Sequence, residues 1–323
     1  MFTPSRLIDQ IDKHISLLPF DETPCGLYEP IRYVMRLGGK RIRPVLMLMA
    51  YNLYQDSVEE ILDPAIGLEI YHNFTLLHDD LMDRADKRRG KDTVHRVWGE
   101  NTAILSGDAM LILAYRYIAM APAEHLKEML DVFTRAALEV CEGQQYDLEF
   151  ESRIQVSEEE YENMIRLKTA VLLAAGLYMG TLLGGGSRQD AGRMYDFGIY
   201  TGIAFQLKDD LLDVYGDPEV FGKNIGGDIV CNKKTYLLIK ALEKADSFQR
   251  ETLLYWMQKE CDPKLKIEAV TQLYNELQVR KLCEERIDAL YQEAISCLEK
   301  VAVASERKEE LRRVVQQLMY REL

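Results

Sequence analysis

Two short acidic stretches set the strongest limit on how this chain folds. Residues 76 to 83 read Leu-Leu-His-Asp-Asp-Leu-Met-Asp, and residues 205 to 213 read Phe-Gln-Leu-Lys-Asp-Asp-Leu-Leu-Asp. Each carries Asp-Asp-x-x-Asp inside an apolar, helix-compatible run. On an α-helix positions i and i+4 share a face, their Cβ atoms roughly 6 Å apart. Asp79 and Asp83 therefore share a face, as do Asp209 and Asp213, with Asp80 and Asp210 flanking them. Three carboxylates on one arc repel each other, and nothing in helix propensity asks for them. The apolar flanks (Ile70, Tyr71, Phe74, Leu76 and Leu77; then Ile203, Ala204, Phe205 and Leu207) argue against a free surface. Such a cluster needs a cation. Mg²⁺ is the natural candidate, because it takes one or two carboxylates and fills its other positions with water and phosphate oxygens.

Composition narrows the class. The chain has 323 residues, 47% hydrophobic and 29% charged, which suits a soluble globular protein. No Pro/Gly/Ser linker divides it, and long helical patterns with short breaks point to one all-α domain over residues 1–323. The net charge of −13, with no basic run longer than Lys87-Arg88-Arg89, argues against a nucleic-acid partner. The six cysteines are scattered without a C-x-x-C and read as reduced cytosolic thiols. The N-terminus lacks a signal-peptide pattern, so a cytoplasmic location is expected. The longest apolar run, Ala170 to Leu183, falls short of a membrane span of ~20 residues and reads as a buried helix.

The other motifs lie between and around the acidic stretches. Helices are expected over 5–18, 28–37 and 45–54. Between the last two stands Gly38-Gly39-Lys40-Arg41-Ile42-Arg43-Pro44. A glycine turn that delivers Lys40, Arg41 and Arg43 to a helix start suits a phosphate; a loop of solvated charges is the plainer reading. A buried helix over 64–82 brings His72 two turns before Asp79 and onto its face, which favours a pocket role over an ordinary core histidine. His78 has no such support and reads as structural. Residues 84–93 form a polar loop broken at Gly90, with Arg88 and Arg89 placed to hold a diphosphate if a metal site lies beside them. Further helices are expected over 93–119, 124–150, 158–183 and 190–214. Lys168, beside Thr169 in an apolar stretch, must snorkel, pair or reach an anion. Gln206 lies three residues before Asp209, on the same side of its helix. Lys223 and Lys233 bracket a glycine-rich stretch able to close over a charged ligand. Residues 235–323 are amphipathic helix without a catalytic signal.

Taken in order, these stretches resemble the trans-isoprenyl (polyprenyl) diphosphate synthase family. The resemblance runs from about residue 35 to 240. It rests on Gly-Gly-Lys-Arg-x-Arg-Pro at 38–44, Asp-Asp-x-x-Asp at 79–83, Arg-Arg-Gly at 88–90 and Lys-Thr at 168–169. It continues through Phe-Gln-x-x-Asp-Asp-x-x-Asp at 205–213, Gly-Lys at 222–223 and Gly-Gly-Asp-x-x-x-x-Lys-x-Thr at 226–235. One such motif would be weak; seven in order are specific. The resemblance implies an all-α bundle with two facing aspartate helices, usually a homodimer without an integral membrane segment. It implies head-to-tail condensation of isopentenyl diphosphate with an allylic diphosphate. Three Mg²⁺ ions would be held by Asp79, Asp83 and Asp209, with Asp80, Asp210 and Asp213 in support. Lys40, Arg43, His72 and Arg89 would bind isopentenyl diphosphate, with Arg41 in the same basic turn. Arg88, Lys168, Thr169, Gln206, Lys223 and Lys233 would surround the allylic diphosphate.

Two other readings share parts of this pattern. A terpene cyclase generally lacks the glycine-led basic turn and the second Asp-Asp-x-x-Asp. A non-catalytic subunit of a heteromeric synthase has typically lost acidic motifs. Both acidic motifs and the basic turn are intact here. The first acidic motif has no inserted residues, the compact form that resembles archaeal, eukaryotic-type and long-chain members. Product length in the family depends on the fifth and fourth positions before the first aspartate, here Phe74 and Thr75. One aromatic at the fifth position resembles makers of C20 products, with C15 the alternative. On an ideal wheel Phe74 falls about 140° from Asp79, and Thr75 lies nearer that face.

Overall fold

The computed structural model describes residues 1–217, 225–259 and 261–320. They are overwhelmingly helical. Helix α1 (Pro4–Ser16) starts on a capping residue, with the Thr3 hydroxyl accepting from the Arg6 N–H and Pro4 at the first helical position. Helices α2 (Cys25–Arg36) and α3 (Ile42–Asn52) follow, then α4 (Leu62–Met82). From Pro44 to Asn52 every residue of α3 is buried, and α4 is buried almost continuously from Pro64 to Phe74. Such all-round apolar faces mark core helices.

The segment after α4 differs from the expected polar loop. Lys87–Arg88 (β1) and Lys91–Asp92 (β2) pair antiparallel around Arg89-Gly90. Both turn residues have positive φ, +52° and +75°, as a two-residue hairpin of matching twist requires. The glycine signals a break; an arginine with positive φ is uncommon, so the sequence hides the hairpin. The single helix expected over 93–119 is also divided. Gly99, at φ +88°, separates α5 (Val94–Trp98) from α6 (Glu100–Ile118).

Helix α7 (Leu126–Ser152) is followed by α8 (Glu158–Ile165), which begins with a reciprocal Ser157/Glu160 capping box. A π-helical turn at Arg166–Ala170 joins α8 to α9 (Val171–Leu183). The whole stretch Glu158–Leu183 is long and apolar enough to cross a membrane by length and composition, and 78% of its most apolar window is buried inside the protein. Helix α10 (Arg188–Tyr215) carries the second acidic stretch. The C-terminal amphipathic region divides into α11 (Gly227–Val230), α12 (Tyr236–Lys244), α13 (Ser247–Gln258), α14 (Pro263–Glu276), α15 (Val279–Glu299) and α16 (Ser305–Met319).

The chain forms two compact units. Unit 1 comprises Met1–Arg135, Ala175–Tyr195 and Val301–Leu311; unit 2 comprises Ala136–Ala174, Asp196–Lys300 and Arg312–Leu323. In unit 1, helix α3 lies almost backbone to backbone on α9. A Cβ at Gly180 would fall 2.1 Å from the Met47 carbonyl oxygen, and one at Gly184 would fall 2.9 Å from that of Tyr51. This contact fixes the helix that begins beside Arg43.

Candidate active site

The two units each build a charged site, and their constructions differ. In unit 1, Gly38 and Gly39 have φ +75° and +142°, and Arg41 is left-handed at +48°. The chain turns sharply there before α3 begins. The Arg89 guanidinium packs on the bare Cα of Gly39, so closely that a Cβ at that position would meet its Nη2 at 2.7 Å. Arg43 stands in the first turn of α3, half-buried, with its Nε buried and without a hydrogen-bond partner among the described residues. Burial pulls its pKa down to about 10, against the opposing charge of Glu69. Burial, with Arg43, Arg89, Arg88 and Arg41 around it, holds His72 well below the ordinary histidine value. His72 is therefore neutral at pH 7. Burial also lowers Arg89. A turn that crowds cations around a neutral imidazole suits an anion.

Arg41 corrects the expectation from sequence. Its side chain is only 2% exposed. Its Nη1 donates to Glu69 at 2.7 Å, Nε to Asp12 at 3.0 Å and Nη2 to the Met35 carbonyl at 2.8 Å. Every nitrogen faces the protein interior, so Arg41 holds the turn and offers nothing to a substrate. The next residue but one, Arg43, does have an unused donor.

The first acidic stretch ends α4. Asp79 is half-buried and Asp83, the C-cap, is exposed. Asp80 is buried and receives Arg88: Nε lies 2.9 and 2.8 Å from its two oxygens, and Nη2 lies 2.7 Å from Oδ1. Strand β1 supplies that arginine, so the hairpin locks the central carboxylate from behind. Phe74 lies on another stripe of α4. It is buried against Tyr71, 5.4 Å between ring centroids, and His78, 4.8 Å. The His78 ring sits over Gly107 of α6. Thr75 is half-buried, its hydroxyl donating to the His72 carbonyl at 2.8 Å.

In unit 2 the π turn is the positioning device. It is wedged between two glycines. A Cβ at Gly143 would lie 2.3 Å from the Lys168 nitrogen, and one at Gly202 would lie 2.5 Å from Ala170. One helical turn beyond each glycine stands a polar partner. Lys168 donates to Asp147 at 2.6 Å, and Thr169 to Gln206 at 3.2 Å. Of the options open to Lys168 from sequence, it pairs. Gln206 then donates to Asp210 Oδ1 at 3.0 Å, and the Tyr161 hydroxyl donates to Asp210 Oδ2. Burial pushes the Asp210 carboxyl up to about 7, although Lys233 pulls the other way. Lys233 lies 3.8 Å from Asp228. Burial would lower its pKa, but Asp228, Asp210, Asp147 and Asp213 reverse this and hold it above the ordinary lysine value. Asp213 is tied to α11, accepting from the Asp228 N–H at 2.9 Å. Lys223 lies outside the described residues.

Sequence reasoning missed Glu69, Asp147 and Tyr161. A charged residue inside the apolar run of α4 was the available signal for Glu69. Asp147 sits on a charged amphipathic helix and Tyr161 in an ordinary helix start, so neither announces itself.

The donor chemistry fits Mg²⁺. Among the described residues no group of three or more His, Cys, Asp or Glu side chains converges into a ready-made cage. A pair of carboxylates one turn apart, Asp79 with Asp83 or Asp209 with Asp213, suits an ion that draws its remaining ligands from water and phosphate. The central aspartates, Asp80 and Asp210, are held by protein donors.

The Polyprenyl synthetase family profile matches residues 25–277. A short chain isoprenyl diphosphate synthase of Methanothermobacter thermautotrophicus is 40% identical over 247 residues, 76% of each chain. A geranylgeranyl diphosphate synthase of Methanosarcina mazei is 40% identical over 248 residues, 74% of this chain and 76% of its own. The crystal structure of a geranylgeranyl pyrophosphate synthase superposes with a TM-score of 0.95 at 42% identity, covering 100% of both chains. The chain belongs to the polyprenyl synthetase family, whose fold is all-α and whose members are prenyl diphosphate synthases.

Proposed function

We propose that this chain condenses isopentenyl diphosphate with an allylic diphosphate and releases a short all-trans prenyl diphosphate, mainly C20. The observation that supports the reading is a pair of separately built clusters of cationic side chains, each in a unit with its own Asp-Asp-x-x-Asp stretch. One substrate diphosphate is assigned to the basic turn of unit 1, with Lys40, Arg43, His72 and Arg89. The allylic diphosphate is assigned to Lys168, Thr169, Gln206, Lys223, Lys233 and Arg88. Magnesium ions on Asp79 and Asp83, and on Asp209, would supply charge withdrawal from the allylic leaving group. Asp80 and Asp210 orient the acidic stretches through Arg88, Tyr161 and Gln206. The neutral imidazole of His72 contributes a hydrogen bond without adding a fifth positive charge to the arginine cluster. The departing pyrophosphate serves as the acceptor for the proton lost at the end, a role that leaves no need for a dedicated base among the described residues.

The reading extends to assembly. Helix α6 exposes Leu105 and Ile112, seven residues apart and 60% and 70% exposed, beside Ile104. A second copy of the chain covering this apolar stripe accounts for it, as a homodimer.

The test is direct. The protein is incubated with Mg²⁺, farnesyl diphosphate and labelled isopentenyl diphosphate, and the dephosphorylated products are separated by chromatography. A C20 alcohol is expected. Absence of any isopentenyl incorporation overturns the condensation and favours a cyclase. Phe74→Ala is expected to lengthen the product, because removing a ring buried against Tyr71 and His78 opens a cavity for a further isoprene unit. An unchanged distribution removes Phe74 from length control.

A further inference from the structure

The basic turn of unit 1 has a buried anion at its centre that the proposed chemistry does not use. Glu69 lies on α4, and its side chain is 2% exposed. Taking a carboxylate out of water is unfavourable unless close partners replace the solvent. Glu69 Oε1 accepts from Arg41 Nη1 at 2.7 Å and from Asn73 Nδ2 at 3.1 Å. Asn73 also donates to the Glu69 carbonyl at 2.8 Å, which fixes the side chain against its own helix. Among the described residues Glu69 Oε2 is buried without a hydrogen-bond partner. Two residues past Arg41, the Nε of Arg43 is likewise buried and unpartnered.

The geometry has a direction. Arg41 occupies a left-handed position as the N-cap of α3. A non-glycine residue there is strained, and the three guanidinium contacts hold it. The bend at Arg41 decides where the first turn of α3 starts, and so where Arg43 points. The charge of Glu69 also favours the protonated forms of Arg43 and Arg89 in their desolvated places.

We propose that Glu69 is a positioning residue: its carboxylate anchors Arg41 at the bend and thereby aims Arg43 at a diphosphate. The inference rests on the reading of the basic turn as the isopentenyl diphosphate site. Glu69 touches no substrate. One buried carboxylate faces Arg41, Arg43 and Arg89, so the cluster keeps the excess positive charge that an incoming diphosphate neutralises.

The experiment compares Glu69→Gln, Arg43→Ala and the wild-type enzyme in steady-state kinetics with each substrate varied in turn. Glu69→Gln keeps the shape and removes the charge. Its KM for isopentenyl diphosphate is expected to rise about tenfold, with kcat and the allylic KM changed less than about twofold. A merely structural role would lower kcat through the active fraction and leave both KM values alone; that outcome overturns the proposal. The double variant Arg41→Met with Glu69→Leu guards against a folding failure, since a buried ion pair exchanged for apolar residues keeps stability. It is expected to fold and still show the raised KM; a wild-type KM in the folded double variant overturns the proposal. Arg43→Ala separates the positioning role from the site assignment. If it raises the KM while Glu69→Gln does not, only the positioning role fails. If neither variant moves the KM, the assignment of the basic turn fails with it.

Discussion

The two acidic stretches have the same spelling and different support. In unit 1 the central Asp80 is gripped by a cation, Arg88, presented by a hairpin. In unit 2 the central Asp210 is gripped by neutral donors, the Tyr161 hydroxyl and the Gln206 amide, and burial lifts its carboxyl to about 7. Both stretches lie near the C-terminal ends of their helices, α4 ending at Met82 and α10 at Tyr215. The helix dipole disfavours negative charge at that end. Each unit satisfies its central aspartate from protein donors, and the outer pair of carboxylates, one turn apart, stands in that unfavourable field, with Asp213 also accepting from the Asp228 N–H. A bound cation relieves that pair. The motif thus specifies the outer pair, whereas the central position is free to use an ion pair or a neutral network.

The largest expected effect removes what the two stretches share. Asp79→Ala and Asp209→Ala should each lower kcat by about a thousandfold or more, because each removes a carboxylate assigned to a metal. Circular dichroism should show the helical content unchanged, since both side chains are only half-buried. Near-normal turnover in either variant would mean that its stretch is structural and that the two are not equivalent.

A smaller effect distinguishes the central aspartates. Arg88→Ala and Tyr161→Phe should each reduce kcat by about 10–100-fold, the range for groups that orient a metal ligand. The Arg88 side chain is 30% exposed, so its ion pair is open to salt screening. Tyr161 is fully buried and its bond to Asp210 is shielded. The wild-type enzyme and Tyr161→Phe should therefore lose activity in parallel as salt is raised, while Arg88→Ala should show a flatter dependence. Identical salt curves for all three would remove the distinction.

Much of this could be read from the chain itself, for physical reasons that differ by residue. Asp79, Asp83, Asp209 and Asp213 stood out because helix propensity gives no reason for carboxylates at i and i+4 in an apolar helix. The all-α class followed from the long periodic runs. The Arg89-Gly90 hairpin did not, because an arginine can adopt positive φ only under tertiary constraint. The same limit hid the role of Arg41: a basic residue in a glycine turn reads as solvent- or ligand-facing until its buried acceptors, Glu69 and Asp12, are brought in from α4 and α1. The π turn at Lys168 was invisible for a related reason. Its cause is the missing side chains of Gly143 and Gly202, which lie on other helices.

The smallest effect concerns pH and belongs to unit 1 alone. His72 is held well below the ordinary histidine value, first by burial and then by the positive field of Arg43, Arg89, Arg88 and Arg41. The folded protein thus keeps a neutral imidazole at a pH where the unfolded chain, with a value near ~6.5, begins to take up a proton. His72 accordingly costs no stability above about pH 6.5, and stability falls as pH drops from there toward the depressed folded value. Nuclear magnetic resonance of the imidazole should show His72 still neutral at about pH 6. Inorganic pyrophosphate bound to the basic turn would offset the arginine charges while leaving the burial, so the same signal should begin to titrate at a higher pH than in the free protein. His72→Gln should remove the signal and flatten the acid limb of stability, by no more than about 1.4 kcal/mol for each pH unit below the unfolded value. Protonation of His72 near pH 6.5 in the free protein would show that the four guanidiniums do not act on it together, and the electrostatic contrast between the two units would fall.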